Sequence, residues 1–187
     1  MKYIVSLVVA MSLVGCSSAP GAFSSRAHPL EGIVYTAGGA VLRGAHITLD
    51  GHASVWSDSD GRFTITRVRH GEHRLHAHHD GYEPMTRTVR FARPTDVLHL
   101  RMRSADDLAQ ASQQALDRGG TAEAEQLIAR ALAVSPDSIR VRYLAAIVYA
   151  RAGRFDEADR MLDHVGFDST LPAVRLLAER IAKGESR

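Results

Sequence analysis

Two hydrophobic periods divide this chain, and the change from one to the other falls near residue 104. Across residues 30–103, apolar and polar positions alternate in short runs that end at Gly, Pro or Asp. Alternation of this kind is typical of strands with one buried and one exposed face. Six runs are clear: 32–35, 45–49, 62–66, 72–78, 86–91 and 96–102. Their spacing predicts an antiparallel β-sandwich over residues 30–103.

After Ser104 the apolar positions recur with helical spacing, and Ala, Leu, Arg and Glu dominate. Ser104 suits the N-cap of the first helix, because two aspartates follow in its first turn. Similar residues recur 34 positions apart: Gly119 and Gly153, Glu123 and Glu157, Ala124 and Ala158, Leu127 and Met161, Ile128 and Leu162. We therefore expect two helical hairpins, 105–138 and 139–172, and a capping helix at 173–183. The predicted fold class is α+β in two domains, with the helices in residues 104–187.

The first sixteen residues have the layout of a secretory signal. A lysine at position 2 precedes an apolar run over 4–14, which is too short to span a bilayer. The end of that run, Leu13-Val14-Gly15-Cys16, resembles the lipobox of bacterial lipoprotein signal peptides. The resemblance implies that residues 1–15 are removed and that Cys16 carries a covalent lipid. The alternative is an ordinary signal peptide or an apolar strand, with the cysteine incidental.

Residues 16–29 then form a lipidated cysteine and a flexible linker, because the segment is rich in small and polar residues and holds two prolines. The residue after the cysteine is Ser17 rather than Asp. In a Gram-negative bacterium this resembles the signal for export, which implies a lipid anchor on the periplasmic side of the outer membrane.

Four landmarks in the strand region resemble the carboxypeptidase regulatory-like domain. They are Gly44-Ala45-x-Ile47, Ser57-Asp58-x-x-Gly61-x-Phe63, Gly71-x-His73-x-Leu75 and Gly81-Tyr82. The resemblance implies a transthyretin-like β-sandwich of seven strands, which serves as an accessory module without an active site. His73 departs from it, because that family more often has Tyr or another aromatic residue there. Asp58 and Gly61 are expected to shape a turn.

The 34-residue period resembles the tetratricopeptide repeat, in which the first helix of each hairpin lines a groove that holds a peptide or helix. By repeat position eight residues would line that groove: Asp106, Ala109, Gln113, Arg140, Tyr143, Ile147, Ala150 and Arg151. Tyr143 between two arginines would suit an extended or acidic peptide. The alternative is that Tyr143 and Ile147 are buried against a neighbouring helix or the sandwich.

Five histidines fall within residues 70–79. If the apolar residues at 75 and 77 face the core, His76 and His78 share the outer face, since side chains alternate along a strand. Such a pair is able to bind Zn²⁺ or Cu²⁺, with His79 or Asp80 as the third ligand. The alternatives are a solvated polar face, or one that becomes cationic in acid.

Composition and motifs narrow the function. The formal net charge is only +2 and the basic residues are interspersed with acids, so we expect no nucleic-acid partner. No nucleophile elbow, phosphate loop or zinc-protease motif is present, so we expect no catalysis. The prediction is an envelope lipoprotein, anchored to the membrane by lipid, that docks or assembles another envelope protein or peptide. The alternative is a lipoprotein that binds metal or glycan through the His-rich face.

Overall fold

The computed structural model describes residues 27–163 and 172–183. The strands are β1 (His28–Thr36), β2 (His46–Leu49), β3 (Ala53–Trp56), β4 (Arg62–Val68), β5 (Gly71–His78), β6 (Met85–Phe91) and β7 (Val97–Met102). The helices are α1 (Ala105–Asp117), α2 (Thr121–Val134), α3 (Ile139–Arg151), α4 (Phe155–Asp163) and α5 (Pro172–Ala182). This confirms the predicted α+β arrangement of a strand domain followed by helices.

The strands form two sheets, with the orders β4-β1-β7 and β3-β2-β5-β6. Their inner faces enclose one apolar core, in which Val34, Ile47, Leu75 and Leu100 are fully buried. All neighbouring strands are antiparallel except β1 and β7, which are parallel. The prediction of an antiparallel sandwich did not include this pair, because strand alternation reports burial and not direction.

The parallel pair places the two ends of the sandwich domain far apart. Glu31 of β1 lies opposite Val97 of β7, and Thr36 lies opposite Met102. The chain therefore enters the sandwich at one end and leaves it for α1 at the other. Since strands rise about 3.3 Å per residue, the nine residues of β1 separate these ends by roughly 30 Å.

Strand β3 is absent from the six predicted runs, although the family resemblance implied seven strands. Its sequence, Ala-Ser-Val-Trp, is only four residues long. The two residues of the preceding turn, Asp50 and Gly51, could have predicted a hairpin and therefore this strand. Asp50 and Gly51 have φ values of 52° and 79°, and the His52 N–H donates to the Leu49 carbonyl oxygen at 3.2 Å. Positive φ at both central residues is characteristic of the type I′ hairpin turn, for which Asp-Gly is a favoured pair.

The predicted turn at Asp58 forms as expected. Its Oδ1 accepts hydrogen bonds from the backbone N–H groups of Asp60 (2.9 Å) and Arg62 (2.8 Å). Gly61 has a φ of 69°, and a Cβ there would lie 2.6 Å from the Val34 carbonyl oxygen. A side chain at this position is therefore excluded by both backbone strain and space. The turn leads into β4, where Phe63 is buried in the core.

The helices confirm the 34-residue repeat. The first hairpin starts at Ala105 and its second helix at Thr121; the equivalent starts in the next hairpin are Ile139 and Phe155. At the end of the first helix of each hairpin, a glycine has positive φ, 80° at position 119 and 76° at position 153. The small residues where paired helices meet, at 124 and 158, are fully buried. Helix α5 follows as the expected capping helix.

Ser112 lies at a position where the repeat favours a very small residue, and its hydroxyl forms a hydrogen bond between two helices. It is fully buried, and its Oγ–H donates to the Ala124 carbonyl oxygen at 2.7 Å. The bond joins α1 to the first turn of α2. A buried hydroxyl is costly without a partner, so this contact explains how the first hairpin accommodates the departure from the repeat.

The sandwich and the helices are joined by more than the connecting residues. Glu83 accepts two hydrogen bonds from Arg130 of α2, Nε to Oε1 and Nη2 to Oε2, both at 2.7 Å. The Glu83 N–H donates to the Arg103 carbonyl oxygen at 2.8 Å, and the Ala105 N–H donates to that of Gly81 at 3.2 Å. The predicted Gly81-Tyr82 turn thus holds the start of the helical domain. Among the helices of the described ranges, none has the length and apolar character to cross a membrane.

Candidate functional site

The groove residues predicted on the first helices divide into exposed and enclosed sets. Asp106, Gln113, Arg140 and Arg151 are exposed. Asp106 on α1 and Arg140 on α3 lie together, with Oδ1 and Nε 3.8 Å apart. Since both side chains are more than half exposed, this ion pair is weak and both groups remain accessible to a ligand.

The other predicted groove residues contribute to packing. Ala109 is fully buried and Ala150 nearly so, so neither offers its side chain to a partner. Tyr143 is half-buried against the cluster that contains Ile181 of α5, and Ile147 is half-buried against the cluster of α1 to α3. The alternative prediction, that Tyr143 and Ile147 are buried against neighbouring helices, is therefore correct for part of each side chain. The helical period places these residues on one face, but packing between the helices decides how much of each side chain stays exposed.

One residue of this region was missed. Ile139, the first residue of α3, is 63% exposed beside Arg140. A single exposed isoleucine is common on protein surfaces, but beside Arg140 it gives the groove one apolar contact to offer. The signal available in the sequence was its position directly after the N-cap Ser138, where a helix has few packing neighbours.

The His-rich face lies on the outer side of the four-stranded sheet, as alternation along β5 predicted. His78 is directly opposite His46 of β2, and His76 is opposite Thr48. Trp56 of β3 extends this face; it is 67% exposed, and its ring lies 4.6 Å from that of His46. His46 and Trp56 were not singled out from the sequence, because their proximity depends on pairing between strands.

The third histidine of the predicted metal set is engaged elsewhere. The ring nitrogens of His79 lie 2.7 Å from the Asp80 carbonyl oxygen and 3.1 Å from that of Arg43. His76 Nδ1 lies 3.0 Å from the Thr86 hydroxyl. Within residues 27–163 and 172–183, no three His, Cys, Asp or Glu side chains are grouped to hold one metal ion. The structure thus does not assemble His76, His78 and His79 into one site.

His73 is largely buried, and it forms an ion pair instead of packing as an aromatic residue. Its Nδ1 lies 2.6 Å from Asp50 Oδ2, and its Nε2 lies 2.8 Å from the Arg69 carbonyl oxygen. Both partners are acceptors, so the doubly protonated ring satisfies both. Burial disfavours the charge, but the bonds to Asp50 and Arg69 outweigh it and raise the pKa of His73. The bond from His73 lowers the pKa of Asp50.

The predicted signal peptide (1–15), the lipidation site Cys16 and most of the linker lie outside the described residues. They remain predictions from the sequence.

Comparisons with known proteins divide the chain in the same place. A model of the carboxypeptidase regulatory-like domain matches residues 29–103, and a tetratricopeptide repeat model matches residues 115–181. No protein of curated function matches the chain. The repeat match indicates a protein that interacts with other proteins.

Solved structures give distant matches to part of the chain. A type II cohesin–X-dockerin complex from Acetivibrio cellulolyticus has 17% identity over 41% of this chain and 58% of that chain, with a TM-score of 0.33. Catechol 1,2-dioxygenase from Pseudomonas arvilla C-1 has 14% identity over 45% and 54%, with a TM-score of 0.37. A streptococcal ancillary pilin has 18% identity over 43% and 30%, with a TM-score of 0.34. The match thus spans little more than half of the first two chains. This protein thus contains a carboxypeptidase regulatory-like domain over residues 29–103, followed by tetratricopeptide repeats over residues 115–181.

Proposed function

We propose that this protein is a non-catalytic envelope lipoprotein, attached to the membrane through Cys16, that docks another protein on its tetratricopeptide repeats. The observation that carries the proposal is the combination of tetratricopeptide repeats with a sandwich that the chain enters at one end and leaves at the other. In this arrangement the sandwich is a spacer of roughly 30 Å between the anchor and the docking surface. The periplasmic face of the outer membrane is the proposed location.

The junction between the domains supports a spacer role. Backbone hydrogen bonds and the paired contacts of Glu83 with Arg130 connect the sandwich to both α1 and α2. A flexible connection would let the repeats fold back toward the membrane. A connection held on two helices restricts the movement of the repeats relative to the sandwich.

The accessible groove residues indicate the chemistry of the partner. Arg140 and Arg151 are exposed, with Asp106 as the neighbouring acid and Ile139 as an exposed apolar residue. An acidic peptide with one apolar side chain complements this set, since Arg forms paired hydrogen bonds with carboxylates. We therefore propose an acidic segment of an envelope protein as the partner.

Cross-linking in intact cells, followed by purification from membranes, tests the docking proposal. The native chain is expected to recover one stoichiometric partner. Arg140→Glu with Arg151→Glu is expected to lose it, because the two substitutions make the surface repel an acidic segment. Arg118→Glu, at the exposed turn after α1, is the control and retains the partner. Equal recovery with all three chains contradicts this groove assignment.

Mass spectrometry of the N-terminal peptide tests the anchor. A diacylglyceryl group on Cys16 and loss of residues 1–15 are expected, and Cys16→Ser is expected to move the protein out of the membrane fraction. An unmodified Cys16 in a membrane-bound chain would contradict anchoring by lipid.

The outer face of the four-stranded sheet supports a second candidate, a ligand-binding lipoprotein. His46 and His78 lie directly opposite each other, at a separation that suits two ligands of Zn²⁺ or Cu²⁺. Trp56 beside them offers the flat apolar surface that a sugar ring favours. Calorimetry with Zn²⁺ and Cu²⁺ is expected to give micromolar binding that His46→Ala with His78→Ala abolishes; no heat in either titration removes the metal version.

A further inference from the structure

A cavity opens at the end of the sandwich where the chain enters. It measures about 450 Å³, within the range of small-ligand sites. It lies between the β2–β3 turn, the end of β4 and the start of β5. The polar residues that line it are Asp50, His52, Thr66, Arg67, Arg69 and His73.

Arg67 reaches this cavity through an irregular backbone. Between Ile65 and Val68, β4 has one more residue than the facing stretch of β1, which is a β-bulge. Arg67 lies in that bulge with a φ of 59°, a conformation that is unfavourable for a residue with a side chain. Bulges redirect side chains and are frequent beside functional sites. Strain of this kind persists where the surrounding structure or a function maintains it.

The charge in the cavity is unbalanced. Asp50 is the only acid among its lining residues, and its carboxylate is paired with His73. Arg67 and Arg69 are exposed, and neither guanidinium has an ion-pair or hydrogen-bond partner among the described residues. Two unpaired arginines, with His52 and the Thr66 hydroxyl nearby, form a site for an anion with several acceptor oxygens.

The position of the cavity identifies the source of that anion. His28, at the start of β1, pairs with Val68, which lines the cavity. The linker from Cys16 to this point has a reach of roughly 20 Å. A chain anchored at Cys16 therefore holds this end of the sandwich next to the bilayer, where anionic headgroups attract arginines.

We propose that this cavity binds the phosphate group of an anionic phospholipid headgroup, and that Arg67 and Arg69 supply the contacts. Binding there orients the sandwich with its long axis away from the membrane. This inference rests on the proposed function, because the lipid anchor on Cys16 is what brings the cavity to the bilayer surface.

Vesicle flotation tests the proposal with the chain from Ser17 to Arg187, which keeps every described residue and carries no lipid. Vesicles of phosphatidylcholine with 30% phosphatidylglycerol are expected to retain the chain at low salt, and vesicles of phosphatidylcholine alone are not. Arg67→Ala with Arg69→Ala is expected to weaken retention by about 30-fold, since each surface arginine contributes about 1 kcal/mol to such binding.

A matched control distinguishes the cavity from general attraction of positive charge. Arg62→Ala with Arg101→Ala removes the same charge from exposed positions of the same three-stranded sheet, at its opposite end. This control is expected to keep most of the binding, and an equal loss overturns the proposal. Arg67→Gly removes one contact and relieves the backbone strain. It is therefore expected to bind about fivefold more weakly without a lower melting temperature, so that weak binding is not a consequence of unfolding.

The remaining outcomes separate this site from the proposed function. Equal retention on both vesicle types overturns the site. Binding of inorganic phosphate without retention on phosphatidylglycerol vesicles assigns the cavity to a soluble anion and overturns the lipid source. If Cys16 proves lipidated but no headgroup binding occurs, the anchor stands and this site falls. If headgroup binding occurs without lipid on Cys16, the site stands and the anchor falls.

Discussion

His73 illustrates how one residue acquires a role that its family position does not predict. The ring occupies an inward place that suits an aromatic residue, yet both its nitrogens contact acceptors, on Asp50 and Arg69. The contacts join the β2–β3 turn, the segment after β4 and strand β5. The same bonds raise the pKa of His73 and lower that of Asp50. This ion pair therefore stabilises one end of the sandwich over a limited pH range.

The stabilisation is expected to be greatest between about pH 4 and pH 6.5, the ordinary pKa values of Asp and His. Above this range it is lost as the pH rises through the raised pKa of His73, and below it as the pH falls through the lowered pKa of Asp50. The melting temperature of the native chain should thus fall relative to that of His73→Gln between pH 6 and pH 9. His78→Gln, at an exposed position, is the control and should follow the native chain. A constant difference between native and His73→Gln would contradict the assignment.

The roles of single residues were predictable only where they depend on neighbours along the chain, as a comparison of Asp58 and Gly61 with Ser112 shows. The turn at Asp58 and the need for glycine at 61 followed from local chemistry, and both are confirmed. The bond of Ser112 was not predicted. Its partner, the Ala124 carbonyl oxygen, belongs to another helix, so no local pattern contains that bond.

Helix capping can be compared between equivalent elements of the two repeats. Ser104 precedes α1 in a capping box: its Oγ accepts from the Asp107 N–H at 3.1 Å, and its own N–H donates to Asp107 Oδ2 at 2.8 Å. Ser138 precedes α3 with one longer bond, from the Val141 N–H at 3.4 Å. Two donors are satisfied at α1 and one weakly at α3, so the two caps should differ in strength.

Ser104→Ala is therefore expected to lower the free energy of unfolding by about 1–2 kcal/mol, and Ser138→Ala by about 0.5 kcal/mol. Denaturant titration followed by circular dichroism measures both, and the two variants act as controls for each other because the same atoms are removed. Equal losses would show that the two bonds of the Ser104 hydroxyl, from the Asp107 N–H and to Asp107 Oδ2, stabilise no more than the one longer bond at Ser138.

At the level of elements, the two hydrophobic periods predicted most strands and all five helices. Strand β3 escaped because four residues cannot establish a period, although the Asp50-Gly51 turn before it was a usable signal. Helix α5 was predicted as a cap. That Ile181 of α5 joins the same apolar cluster as Ala146, Ala150, Ala158 and Leu162 depends on helix packing, which the repeat pattern does not describe.

The contact between Glu83 and Arg130 determines how the two domains are held. Hydrogen bonds from Arg130 lower the pKa of the Glu83 carboxyl, although partial burial opposes this. The pair thus contributes above the ordinary pKa of Glu, and the contribution is lost as the pH falls through the lowered value. About a quarter of the Glu83 side chain and almost half of that of Arg130 are exposed, so solvent reduces the attraction.

A double-mutant cycle of Glu83→Gln and Arg130→Gln should give a coupling energy of about 1 kcal/mol at pH 7, which decreases as the pH falls through the lowered pKa of Glu83. The cycle of Arg118→Gln and Glu123→Gln is the control. That pair is 4.0 Å apart with both side chains over 60% exposed, and its coupling should be close to zero. No coupling at pH 7 for Glu83 and Arg130 would mean that the backbone contacts alone hold the domains.

The sequence by itself determined the two domains, their periods, the turn residues and the 34-residue repeat, because each depends on residues that are neighbours along the chain. It also supplied the only basis for the proposed anchor at Cys16. Tertiary structure decided what lies across strands and helices: His46 opposite His78, the arginines of the bulged β4 in one cavity with His73, and the enclosure of Ala109 and Ala150. It also decided that β1 and β7 run parallel, which separates the start of the sandwich from the repeats. These features depend on strand register and helix packing between distant segments, and no local period encodes them.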